Sequence, residues 1–238
     1  MLTNDTTVTW DGREVRGRRV SRLGAIELSS TPVRPDPVQA RHAVLDAVQS
    51  RGLDAVGWTK NGEALRRRLA LAHRILGDPW PDVSEEALLA RAEEWLDFDA
   101  LAAGRGSDAT SGLRGLLGWQ ESARFDEVDP ETITVPSGSR IRVDYPEPDS
   151  DTFPVLAVKL QECFGWTDGP TVCDGQVRVV LHLLSPARRP LAVTDDLASF
   201  WANVYPTVRA ENRGRYSKHP WPEDPMTAIP TKRTNRSL

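Results

Sequence analysis

The stretch Thr132-Ile133-Thr134-Val135-Pro136-Ser137-Gly138-Ser139-Arg140-Ile141-Arg142-Val143-Asp144-Tyr145 decides the fold class. Apolar residues fall at every second position on either side of Pro136-Ser137-Gly138-Ser139, as in two strands joined by a four-residue loop. Everything from Val38 to Val128 repeats at helical spacing instead. The return of period two after Asp129-Pro130 therefore predicts an α+β chain and excludes an all-helical bundle.

Outward from that hairpin, Pro154 to Cys163 reads as a strand passing into a short helix. Thr171-Val172-Cys173 and Gln176 to Leu184 flank Asp174-Gly175, a type I′ turn signal, and Ser185-Pro186 closes the strand. The expected result is a small, mostly antiparallel sheet. Thr194-Asp195-Asp196 then opens a helix with Leu197, Phe200, Trp201, Val204 and Val208 on one stripe, and Pro206 is expected to kink it. Beyond Arg213, Pro220, Pro222, Pro225 and Pro230 leave an extended tail, with residues 226–238 expected to be disordered.

Toward the N-terminus, Asp36 caps and Pro37 opens a helix carrying Ala40, Val44, Ala47 and Val48. A second helix runs from Glu63 to Leu76 and a third from Ser84 through Leu96, with shorter pieces at Leu113 to Leu117 and Gln120 to Val128. Gly104-Arg105-Gly106-Ser107 separates them as a linker. In residues 1–35, Thr7-Val8-Thr9-Trp10 meets Arg13 to Arg19 across Asp11-Gly12 in a predicted type I′ hairpin, and Leu23 to Ser29 adds a third run. The prolines from Thr31 to Pro37 are expected to stop any ladder. So few strands cannot make their own core.

The 238 residues carry a formal charge of −4, with +2 over residues 1–35, −6 over 36–130, −4 over 131–185 and +4 over 186–238. The chain is basic at both ends. No run approaches the roughly 18 apolar residues of a membrane span, and two cysteines make no disulfide framework, so a cytoplasmic setting is expected. Gly57-Trp58-Thr59-Lys60-Asn61-Gly62 imitates a phosphate loop, but Glu63 follows it and would repel phosphate. His42, His73, His182 and His219 are too scattered for a zinc pattern, and no nucleophile, base and orienting group occur together. No catalytic, metal or cofactor residue is assigned.

One constellation remains. Arg188, Arg189, Arg209, Arg213, Arg215, Lys218 and His219 interleave with Trp201, Tyr205, Tyr216 and Trp221. Guanidinium groups among rings suit single-stranded RNA, whose phosphates take the charge and whose unpaired bases stack. The competing reading makes Trp201 a core residue, with Tyr216 and Trp221 pinning the tail. Arg188, Arg189, Arg209, Arg213, Arg215, Lys218, His219 and Trp221 are the RNA-binding candidates.

Four long motifs stand out: Ser185-Pro186-Ala187-Arg188-Arg189-Pro190-Leu191-Ala192-Val193-Thr194-Asp195-Asp196-Leu197-Ala198-Ser199-Phe200-Trp201, Arg213 to Pro225, Val135 to Tyr145 and Val155 to Gly165. Together they resemble the C-terminal region of the bacterial HrpB-type DEAH-box ATP-dependent RNA helicases. Ser217 departs from the family's usual proline, which implies a looser tail. The resemblance makes residues 8–30 the last strands of an oligonucleotide-binding (OB-like) barrel. It divides the chain into that remnant (1–35), a helical subdomain (36–130), the HrpB-type domain (131–225) and a basic tail (226–238). It implies single-stranded RNA or ribonucleoprotein as partner, and helicase motor lobes in cis or trans. The family's Walker loop and DEAH box, which hold ATP and Mg, do not occur in these residues. The expectation is thus an accessory region without ATPase activity, either a fragment of a longer helicase or a truncated product. The alternative is a protein-interaction module that never touches nucleic acid.

Overall fold

The computed structural model describes residues 2–105 and 109–234. Gly106, Ser107 and Asp108 of the linker and residues 235–238 of the basic tail lie outside the described residues. Contacts divide the chain into two units, Met1–His73 with Asp78–Ser122, and Arg74–Gly77 with Ala123–Leu238. Residues 1–35 thus share a unit with the first helices.

In the first unit, β1 (Leu2–Trp10), β2 (Val15–Leu23) and β3 (Ile26–Val33) form an open antiparallel sheet in that order. The loop after β1 is longer than the expected two residues, because Trp10 pairs with Val15. Asp11 Oδ1 accepts from the amides of Arg13 (2.9 Å) and Glu14 (3.0 Å), and those amides hold its carboxyl below the usual range. That local satisfaction competes with a tight turn. The two-residue turn lies instead at Gly24-Ala25, where Leu23 pairs with Ile26 and Gly24 takes φ 61°. Nor does the proline run stop the ladder: Pro32 pairs with Arg18 and Val33 with Gly17. β3 is an edge strand, where a missing N–H breaks no pairing.

The sheet takes cover from α1 (Pro37–Arg51). Asp36 and Gln39 form a reciprocal capping box, and Val44 and Val48 are fully buried. Arg51 donates to the Trp10 carbonyl at 3.2 Å and lies 5.3 Å from the Trp10 ring centroid. α2 (Lys60–Leu76) buries Leu65, Leu69 and Ala72 and stops at Gly77, φ 67°. The single helix expected from Ser84 is two, α3 (Glu85–Ala90) and α4 (Ala92–Trp95), broken at Arg91. Trp95 Nε1 donates to the Leu88 carbonyl at 2.9 Å, which satisfies an acceptor at the break. α5 (Phe98–Ala102) and α6 (Ala109–Gly115) follow, and α7 (Trp119–Val128) starts in this unit and ends in the next.

The second unit holds a mixed sheet of β4 (Thr132–Thr134), β5 (Arg140–Asp144), β6 (Val155–Lys159), β9 (Val180–Leu184) and β10 (Pro190–Thr194) in the order β10-β9-β6-β5-β4. β6 and β9 run parallel, and the other neighbours are antiparallel. Leu156, Val158, Leu181 and Leu183 make its buried centre. The strand expected from Gln176 to Leu184 is split. β7 (Thr171–Val172) and β8 (Val177–Arg178) form a separate ladder around a turn in which Cys173, Asp174 and Gly175 all have positive φ.

α8 (Leu197–Ser199) runs through a π-helical turn, Phe200–Val204, into α9 (Tyr205–Asn212). The wide turn accommodates Pro206, which supplies no N–H and crowds the turn before it. Its extra residue turns Val204 outward, 43% exposed, and buries Tyr205 in its place. Within the tail expected to be disordered from residue 226, Thr231 is buried and its amide donates to the Gln161 carbonyl at 2.9 Å.

Candidate nucleic-acid interface

Asp196 caps the C-terminal helical run by accepting from the Ser199 amide at 2.9 Å, with its own amide held by Thr194 Oγ1. The run's inner face carries Trp201 and Tyr205 against Phe164, with ring centroids 6.1 and 6.4 Å from it. Trp201 Nε1 donates to the Trp166 carbonyl at 2.8 Å, and Tyr205 Oη to the Pro222 carbonyl at 2.8 Å. Burial pushes the Tyr205 hydroxyl up to about 12, against the nearby Arg209 charge. Trp221 is buried, with Nε1 on the Tyr216 carbonyl at 3.3 Å, and Tyr216 is half-buried. The aromatic half of the sequence constellation therefore builds the fold and offers no open stacking platform.

The basic half divides. Arg209 folds onto the returning chain, its Nε 2.9 Å from the Trp221 carbonyl and its Nη2 3.1 Å from Glu223 Oε1. It is a clamp. His219 is half-buried beside Lys159, and burial first, then that charge, lowers its pKa, so it stays neutral at pH 7. Arg213, Arg215 and Lys218 follow α9 and are exposed. Arg188 and Arg189 are exposed on the turn between β9 and β10, where Ser185 Oγ accepts from the Arg189 amide at 3.0 Å and Arg188 takes φ 59°. Among the described residues none of these five makes an ion pair.

The residues set aside in the sequence have structural places. Gly57 (φ 70°) leads into α2 at Lys60, and Cys163 and Cys173 are fully buried, which raises both thiols. His182 is half-buried on β9. Sequence reasoning missed two features: Trp119, 86% exposed at the start of α7, and the carboxylates Asp168, Asp195 and Asp196 gathered around one cleft. Trp119 lies outside the buried Phe125–Val128 side of its helix. The cleft joins segments far apart in sequence, so no spacing announces it.

The family model for the ATP-dependent helicase C-terminal region matches residues 93–225. The ATP-dependent RNA helicase HrpB of Escherichia coli (strain K12) is 39% identical over 245 residues, which cover 99% of this chain and 30% of that protein. Two crystal structures are similar. That of E. coli DExH-box NTPase HrpB has a TM-score of 0.78 at 39% identity, covering 98% of this chain and 30% of that one. That of Escherichia coli DEAH/RHA helicase HrpB has a TM-score of 0.69 at 37% identity, covering 92% and 29%. This chain spans about 30% of the length of the curated relative it matches.

Proposed function

Because this chain belongs to the HrpB-type ATP-dependent helicase C-terminal family, we propose that it is the non-motor accessory region of an RNA helicase, which holds single-stranded RNA or a ribonucleoprotein near motor lobes supplied in cis or trans. The observation that carries this reading is the set of exposed, unpaired cations Arg188, Arg189, Arg213, Arg215 and Lys218. Such groups meet phosphates and release counterions, so the contact is electrostatic and indifferent to base sequence. With Trp201, Tyr205 and Trp221 buried, base stacking is not part of the proposal. ATP and Mg belong to the motor lobes in this reading, since these residues hold no Walker loop or DEAH box. The strands β1 to β3, whose apolar Ile26 and Leu28 are 66% and 55% exposed, are read as the end of an OB-like barrel.

The test is fluorescence anisotropy with two single-stranded RNAs of equal length and unlike composition, at low salt. The expected result is binding to both with dissociation constants within about threefold, since phosphate contacts carry no sequence information. Failure to bind either RNA, or strong preference for one, overturns the reading. A second reading, a protein-interaction module, is favoured by the acidic groove described next.

A further inference from the structure

We propose that an apolar groove between the start of the C-terminal helical run and the strap Glu223–Met226 binds an extended, basic protein segment that carries an apolar side chain between cationic ones. Ala198, Trp201 and Ala202 form one wall of a hollow of about 400 Å³, with Pro225 and Met226 opposite. A second hollow of about 280 Å³ adjoins it, the two sharing Thr167 and Ala198 in their linings. Two neighbouring hollows suit successive side chains of an extended segment.

Its charge selects the occupant. Glu223 and Asp224 edge the first hollow, and Asp168, Asp195 and Asp196 the second, while Arg178 is the lone cation among the lining residues. Arg209 engages Glu223, which leaves the other carboxylates to dominate. Acid along an apolar floor repels RNA and attracts lysine or arginine flanking an apolar anchor. This site is therefore separate from the cationic surface of the proposed RNA contact.

The groove is also preformed. The Gly165 amide donates to the Pro225 carbonyl at 3.0 Å and Asp224 accepts from the Met226 amide at 2.9 Å, which fixes the strap. The Trp201 indole is held on the Trp166 carbonyl at 2.8 Å. A wall already in place spares the binding partner an ordering cost.

The probe is a fluorescein-labelled peptide of roughly ten alternating arginine and leucine residues, with a citrulline-for-arginine counterpart of the same shape but no charge, titrated into the full chain. The arginine peptide is expected to bind about tenfold more tightly than the citrulline one. Asp168→Asn with Asp195→Asn should weaken it about fivefold without changing the thermal transition. Ala202→Lys, which fills the channel and places a cation in it, should remove binding; the paired Asn variant carries the test if that protein does not fold. Arg213→Ala with Arg215→Ala should leave peptide binding unchanged while weakening RNA binding. Equal affinity for the two peptides, indifference to the Asp168 and Asp195 changes, competitive displacement by RNA, or dimer formation that accounts for the groove would each overturn the proposal.

Discussion

Replacing Arg209 with alanine distinguishes a guanidinium that holds the fold from those that face solvent. Its Nε–H bond to the Trp221 carbonyl, at 2.9 Å, is a charge-assisted bond from a side chain only 21% exposed. Such bonds contribute about 1.5–3 kcal/mol, whereas its pairing with Glu223, 87% exposed, adds about 0–1 kcal/mol. The strap from Trp221 to Met226 should therefore open about 2 kcal/mol more easily in Arg209→Ala. Native-state hydrogen exchange reads this directly, because the Gly165 amide is protected by the Pro225 carbonyl and the Thr231 amide by Gln161. At about 1.4 kcal/mol per tenfold, the Gly165 amide should exchange about thirtyfold faster. RNA binding should keep its salt dependence. Unchanged exchange at Gly165 and Thr231, together with a shallower salt dependence, would show that Arg209 contacts phosphate and not the strap.

Gly112 on α6 has no room for a side chain, since a Cβ there would fall on the Trp95 carbonyl oxygen, while Gly115 has nothing within 4 Å. Gly112→Ala should cost more than about 3 kcal/mol and Gly115→Ala should gain up to about 1 kcal/mol, as read by urea unfolding; equal effects refute the packing. His219 has its pKa lowered by burial, so below its unfolded value of 6.5 the unfolded chain takes up the proton first. Its contribution is complete above pH 6.5 and is lost as pH falls through the folded value; His219→Gln should flatten unfolding free energy between pH 7 and 5, and an unchanged slope would refute this. The purified chain should release no phosphate from ATP in a malachite green assay, and turnover that survives removal of contaminants contradicts the non-motor reading.

What could be read from sequence was local. Asp36 and Pro37 are adjacent, and they cap and open α1 as the pattern implies, while the reciprocal bond from Gln39 is seen only in the structure. Ser84 capped α3 for the same reason, but the break at Arg91 depends on the Trp95 indole reaching back to Leu88. Asp11-Gly12 carried the residues of a tight turn, and the Asp11 carboxylate outweighed that signal by capturing two loop amides. Ser185-Pro186 marks the close of β9, but nothing local marks β10, which starts at Pro190 on a sheet edge where a missing N–H is harmless. The candidate site divided along the same line. Arg213, Arg215 and Lys218 kept the exposure that a basic, aperiodic segment implies. Arg209 and Trp221 are twelve residues apart and meet only because the chain returns over α9, which no spacing rule encodes.

The most direct test of the account is the salt dependence of RNA binding by the intact chain. If Arg188, Arg189, Arg213, Arg215 and Lys218 all meet phosphates, log K should fall against log salt with a slope of about −3.5, at about 0.7 per single-strand contact. Arg213→Ala with Arg215→Ala should make that slope shallower by about 1.4. Binding that ignores salt, or a slope the double substitution leaves unchanged, would contradict the claim that this region grips RNA through its exposed cations.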